Sequence, residues 1–264
     1  MAVANDTMRP PAPLPYVRRT AAPVDAPRTA DGLLADIAGE IDRREVKARQ
    51  RRLLTCYHEA GHAVAVWWMG YHSDRAVVLT PAEVGAGVTI AGRRGRTHHG
   101  EGAVIGYDIA EKSSYKTARR EAEAGDDELW RCCDTRARMA MVMSYAGPIA
   151  EARFRQMRIE WCFYEGGMVD LDEADRVAAE WFADGPAAIA ASEQCERVAR
   201  ALVRSRKGWA AISAVAVALQ ERGEVDGSRI AALCAASYGA APKLDAWALR
   251  WPPTAEEIRS GYLP

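Results

Sequence analysis

The segment Tyr57-His58-Glu59-Ala60-Gly61-His62-Ala63 constrains this chain more than any other, because it sets H-E-x-x-H at the head of an apolar run from Ala63 to Met69. In a helix, residues four apart return to one face a turn later, so both imidazoles can reach a single ion at about 2.0–2.1 Å. Glu59 directly follows the first histidine, which lets its carboxylate reach a metal-activated water without ligating the ion. The bland alternative is a helix whose histidines are merely core or surface residues. With five histidines in the chain, composition alone yields this pattern on the order of one time in a hundred. The apolar continuation implies a buried helix, so the fold must wrap around it and supply the remaining ligand.

A catalytic zinc needs a third protein ligand and one open position. The elongated H-E-x-x-H-x-x-G-x-x-H type is excluded, because Ala65 and Trp68 occupy its glycine and third-histidine positions. That leaves downstream carboxylates: Glu151, in Tyr145-Ala146-Gly147-Pro148-Ile149-Ala150-Glu151-Ala152, and Asp170, in Gly166-Gly167-Met168-Val169-Asp170-Leu171. Asp170 also opens an Asp-x-x-Glu sequence with Glu173, the signature of a helix cap, so ligand and cap both stand on the residues alone. Glu151 reads as an exposed or hydrogen-bonded helix residue with at most a supporting role.

Around this segment the chain is organised as an arm, a main domain and an extension. Residues 1–30 hold six of the thirteen prolines without apolar periodicity and read as a disordered or extended arm. A transit peptide is the competing reading, opposed by prolines at 10, 11, 13 and 15, which spoil an amphipathic helix. The main domain is expected over 31–240. Leu33, Leu34, Ile37 and Ile41 repeat at helical spacing, a polar stretch follows to Arg52, and a second helix carries Thr55 to about Met69. Val77 to Thr80, closed by Pro81, and Val88 to Ile90 read as two short strands able to form a hairpin beside that helix.

Residues 92–130 read as an insertion of undefined structure in which only Ala103 to Tyr107 resembles a strand. Helical spacing returns from about Arg131 to Met157, with Pro148 expected to kink or divide the helix. Further helices are expected near 171–183, 187–206, 209–222 and from Gly227 to about Tyr238. The extension 241–264, with Trp247 and Trp251, reads as pinned to the domain. The fold class is therefore α+β and predominantly helical: an H-E-x-x-H helix beside a small β-hairpin or sheet, then a helical C-terminal bundle.

Composition narrows the partners. Thirty-five basic against thirty-six acidic side chains leave a formal charge of −1, so no global field draws the chain to nucleic acid or anionic lipid. The stretch Ala63 to Met69 is far short of the roughly 20 residues that cross a bilayer, and no membrane association is expected. Six cysteines without a C-x-x-C pair fit a reducing cytoplasm. His98 and His99 sit in a basic segment that reads as a solvated loop rather than a second metal site or phosphate contact. Cys132 and Cys133, adjacent on a helix, point to different sides.

These motifs together resemble the peptidase domain of the FtsH-like ATP-dependent zinc metalloproteases. That family carries Y-H-E-A-G-H-A, a pair of short strands, a helix reading roughly L-G-G-R-A-A-E-E, and T-G-A-S-N-D-L at the start of another helix. Tyr57 to Ala63 matches the first element without a change; Tyr145 to Ala152 resembles the third and Gly167 to Leu171 the fourth. Gly223-Glu224-Val225-Asp226-Gly227 is similar to the turn before the family's last helix, so the resemblance covers about residues 45 to 235. It implies His58, His62 and Asp170 as zinc ligands and Glu59 as the base of a peptidase acting on polypeptide. A six-membered ring is implied as well.

Three departures stand against the family pattern. The interval between His62 and Asp170 is longer, with residues 92–130 holding the surplus, and Pro148 stands where the family has arginine. No G-x-x-x-x-G-K-[ST] loop occurs: Gly95 to Gly100 has the glycine spacing, but Glu101 and Gly102 replace its lysine and hydroxyl. No ATPase activity is expected, and an unfolding partner would be a separate ATPase. The rival from another class is a non-catalytic, zinc-containing regulatory module that docks on such a partner.

Overall fold

A computed structural model describes residues 30–92, 97–98, 100–106, 115–123, 125, 127–182, 185–242 and 253–263. Two compact units divide the chain, Met1–Arg44 and Glu45–Pro264. In the first, the described residues are helical from Ala30, and an exposed Arg44 meets Glu40 one turn away at 3.1 Å. The proline-rich arm expected over 1–30 lies outside the described residues except for Ala30, which begins α1.

Helix α1 (Ala30–Trp68) is continuous where the periodicity suggested two helices. The polar stretch between them is rich in Arg, Lys, Glu and Gln, which are strong helix formers, and contains neither Gly nor Pro. In the second unit α1 passes from exposed residues at Glu45 to complete enclosure over 59–69. Small side chains permit this. A Cβ on Gly61 would stand 2.5 Å from the Ala146 carbonyl oxygen and 2.8 Å from Ala150 Cβ, so α1 crosses helix α4 (Asp127–Arg155) with almost no space between them. Pro148 does not divide α4. A proline in a helix interior costs about 3 kcal/mol; here its ring packs over Gly167, where a Cβ would come within 2.9 Å of Pro148 Cγ. Tyr57 stacks on Phe154 at 3.9 Å between centroids and on Trp209 at 5.4 Å, fixing the turn that carries His58.

Beside α1 lies an antiparallel sheet in the order β4 (Gly102–Ile105), β1 (Arg75–Val78), β5 (Glu224–Asp226). Its register pairs Val78 with Gly102 and Ala76 with both Val104 and Val225. The strand period of two sends Ala76, Val78, Val104 and Val225 into the main core; Val77, Leu79, Ala103 and Ile105 join Ile90 in a smaller cluster. The hairpin expected between 77–80 and 88–90 does not form. Thr80 and Glu83 make a reciprocal capping box, and with Pro81 at the first turn they start α2 (Pro81–Gly85), which leads the chain off the sheet. Ile90–Ala91 (β2) pairs instead with Thr97–His98 (β3). The described part of the 92–130 stretch thus supplies β3, β4, α3 (Tyr115–Glu123) and the start of α4.

The remaining helices are α5 (Ile159–Cys162), a π turn over Phe163–Gly167, α6 (Met168–Phe182), α7 (Gly185–Arg204), α8 (Arg206–Arg222), α9 (Gly227–Tyr238) and α10 (Ala255–Ser260). Asp226 caps α9 by accepting from the Arg229 amide at 2.8 Å. Buried Ile258 and a 2.9 Å hydrogen bond from Trp68 Nε1 to the Tyr262 carbonyl pin the end of the extension; Trp247 and Trp251 lie outside the described residues. The protein is mostly helical with a small antiparallel sheet, as expected. Among the described residues no helix is long and apolar enough to cross a membrane.

Candidate metal centre

Three helices and one strand meet at the H-E-x-x-H turn. From α1 come His58, Glu59 and His62, one turn of helix. Asp170 arrives on the first turn of α6, and its carboxylate closes the group: Oδ2 lies 3.0 Å from His58 Nε2 and Oδ1 lies 3.4 Å from His62 Nε2. The two Nε2 atoms are 3.0 Å apart. Among the described residues these three form the group that could hold a metal ion.

The outer nitrogens of both rings are committed elsewhere. His62 Nδ1 lies 2.8 Å from the Met143 carbonyl oxygen of α4, which can only accept, so that nitrogen carries the proton. His58 Nδ1 faces Glu151 Oε2 at 3.2 Å, and Glu151 is held in turn by Arg155 at 3.0 Å through Oε1. These contacts direct both Nε2 lone pairs inward, against an aspartate. Two lone pairs and a carboxylate pointed at one another repel unless a cation lies among them, and either a metal ion or a proton satisfies that demand.

Electrostatics of the metal-free cluster follow from this. Burial opposes the charged form of His58, but hydrogen bonds to Asp170 and Glu151 and the charges of Asp170 and Glu59 outweigh it and carry its pKa up to about 10. His62 is also raised: burial opposes its charge, and the charge and hydrogen bond of Asp170 overcome it. For Asp170 burial favours protonation, yet His62 and His58 hold the group well below the usual carboxylate range. Glu151 is likewise lowered, burial being outweighed by His58 and Arg155. Glu59 goes the other way. Its burial raises the pKa more than the nearby His58 and His62 lower it, which makes it a better proton acceptor than an exposed carboxylate.

Two glycines make room for these side chains. A Cβ at Gly102, on β4, would stand 2.6 Å from Glu59 Cγ and 2.8 Å from its Oε1. A Cβ at Gly147, on α4, would overlap the His62 ring, 2.5 Å from Cε1 and closer still to Nε2.

The structure thus brings together His58, His62 and Asp170 and sets Glu59 beside them. Asp170 is not a cap: the π turn continues directly into α6, Asp170 is already helical, and Glu173 pairs with Arg176 at 2.7 Å instead of reaching back. Glu151 takes the supporting position. Sequence reasoning did not identify Met143, whose contribution is a backbone carbonyl with no residue signature, nor Gly102 and Gly147, nor Arg155. The last had a signal, an i→i+4 Glu/Arg pair on one helix face. His98 lies exposed on β3, and His99 lies outside the described residues. No protein-family model matches the chain, and no curated protein matches its sequence.

Proposed function

We propose that the chain is a zinc metallopeptidase that hydrolyses peptide bonds of flexible or unfolded polypeptide, in the manner of the FtsH-like peptidase domains it resembles. The observation that carries this reading is the convergence of His58 Nε2, His62 Nε2 and the Asp170 carboxylate beside a buried Glu59. Their separations of 3.0, 3.0 and 3.4 Å bracket the roughly 3.3 Å edge of a tetrahedral site with bonds of about 2.0–2.1 Å, the geometry of zinc. Three protein ligands leave a fourth position open, as catalytic sites require.

His58, His62 and Asp170 would hold the ion, while Glu151 and the Met143 carbonyl keep both imidazoles in the tautomer that ligates. Bound zinc would supply Lewis acidity that polarises the scissile carbonyl and acidifies a water. Glu59 takes the proton of the attacking water on its carboxylate and delivers it to the leaving amine nitrogen. The 264 residues contain no phosphate-binding loop; a homo-oligomeric ring or a separate ATPase partner, and a cytoplasmic setting, belong to the same proposal.

The test uses the purified, zinc-supplemented chain on unfolded casein. About one zinc per chain is expected, with turnover in the wild type and none in Glu59→Gln, which keeps the metal and the fold. Equal action by both proteins, or none by the wild type on any unfolded substrate, would replace the peptidase with a non-catalytic zinc module that docks on a partner.

A further inference from the structure

Glu59 is aimed by packing rather than by hydrogen bonds. Among the described residues its carboxylate has no hydrogen-bond partner. Its Cγ and Oε1 instead occupy the space that a Cβ on Gly102 would fill, 2.6 and 2.8 Å from that position. The direction of the carboxylate therefore depends on where β4 begins, since Gly102 is the first residue of that strand. Two neighbours fix this point. On the sheet, Val78 pairs with Gly102 and the Leu79 amide donates to the Glu101 carbonyl at 2.8 Å. On α1, Thr55 joins Glu59 against the strand, its Cγ2 being 2.9 Å from the same absent Cβ.

Glu101 ties strand to helix. Its Oε1 lies 2.7 Å from Arg51 Nη2, and its Oε2 accepts from the Thr55 hydroxyl at 3.3 Å. Arg51, Thr55 and Glu59 are each four residues apart and so share one face of α1 on successive turns. Glu101 thus grips the two turns that precede the base. Glycines on both sides of it leave the backbone few restraints of its own, so the side-chain contacts set the spacing of strand and helix. The Glu101-Gly102 pair that breaks the phosphate-loop pattern has a use in this position: the first residue clamps and the second yields room. We propose, on the peptidase reading above, that Glu101 is a positioning residue which, through Arg51 and Thr55, holds Gly102 against Glu59 and so aims the carboxylate that takes the proton. It acts through Gly102 and not on the reacting atoms.

Two readouts separate the clamp from the peptidase. In the full-length, zinc-free chain with carbon-13-labelled glutamate, the γ-methylene signal of Glu59, assigned by its loss in Glu59→Gln, reports whether the side chain keeps one orientation. The wild type is expected to show two resolved γ protons and Glu101→Ala a single averaged shift. Glu101→Gln should restore the wild-type pattern: its amide oxygen accepts from Arg51 and its nitrogen donates to Thr55, whose hydroxyl turns to the Arg51 carbonyl 3.2 Å away. In the zinc-loaded protein acting on an unstructured peptide, Glu101→Ala should lower kcat by about 10–100-fold, up to the loss that a misplacement of about 1 Å causes, and Glu101→Gln should recover most of it. KM, zinc affinity and thermal melting should stay unchanged, because an ion pair with an exposed arginine adds little to global stability. An unchanged Glu59 signal in Glu101→Ala, an unchanged kcat where the wild type is active, or a Glu101→Gln protein as impaired as Glu101→Ala overturns the clamp. So does a parallel loss of zinc or of melting temperature, which makes Glu101 a general structural residue. A Glu59 signal that averages in Glu101→Ala while the wild type cleaves no peptide keeps the clamp and sinks the peptidase.

Discussion

Substituting Gly147 by alanine tests the proposed zinc site without altering any of its proposed ligands. The added methyl would stand 2.5 Å from His62 Cε1 and 2.8 Å from Cδ2. Carbon atoms rest at about 3.5–4.0 Å, so the ring or α4 must withdraw by roughly 1 Å, against a tolerance of about 0.2 Å in metal–ligand distance. Withdrawal also disturbs the 2.8 Å contact of Nδ1 with Met143, since that carbonyl lies on the same helix. Zinc affinity should fall at least about 10–100-fold, the loss typical of disturbed outer partners, while overpacking costs about 1–3 kcal/mol of stability. The assay is competition for zinc against a chromophoric chelator, with circular dichroism to verify the fold. Gly185→Ala is the control, since nothing lies within 4 Å of a Cβ there. A folded Gly147→Ala protein that binds zinc as tightly as the wild type would refute the placement of His62 Nε2 at the ion.

Asp170→Ala should empty the site, whereas Glu151→Ala should weaken zinc by about 10–100-fold and leave it measurable at saturation; elemental analysis of both decides the order. Gly102→Ala should suppress casein turnover and spare zinc, because its methyl displaces Glu59 rather than a ligand. Zinc uptake must displace protons from the histidines, so with the His58 pKa at about 10 affinity should rise with pH from about 6.5 toward 10; calorimetry in buffers of different ionisation enthalpy counts the protons. Chelator-treated protein should show the converse. The raised pKa of His58 stabilises the fold fully below about 6.5 and is lost as pH rises through about 10, while the lowered pKa of Asp170 stabilises above about 3.8 and is lost on further acidification. Thermal melts of the metal-free chain should therefore be highest between about pH 4 and 6.5.

Local chemistry determined much of this protein from its sequence alone. The four-residue interval of His58 and His62 fixes their common face because the helix repeat is a property of the backbone, and the apolar run to Met69 is buried as its hydropathy demands. The bounds of α6 through α9 follow from periodicity and from caps such as Asp226. Where local signals were read too weakly, the expectation failed: Thr80-Pro81-Ala82-Glu83 spells a helix start that forbids the hairpin, and the polar stretch to Arg52 contains nothing that ends a helix. Tertiary structure alone decided the rest. The place of Asp170 was open because an aspartate three residues before a glutamate can cap a helix or lie within one according to what precedes it, and the π turn that carries it past the cap position to the side of His58 and His62 leaves no residue pattern. The pairing of β1 with β4 and β5 joins strands far apart in the chain, and an alternating pattern specifies a face but not a partner. The Met143 carbonyl and the contacts of Gly102 and Gly147 exist only because α4 and β4 press against one turn of α1, and close approach of backbones is a property of packing that no side chain announces.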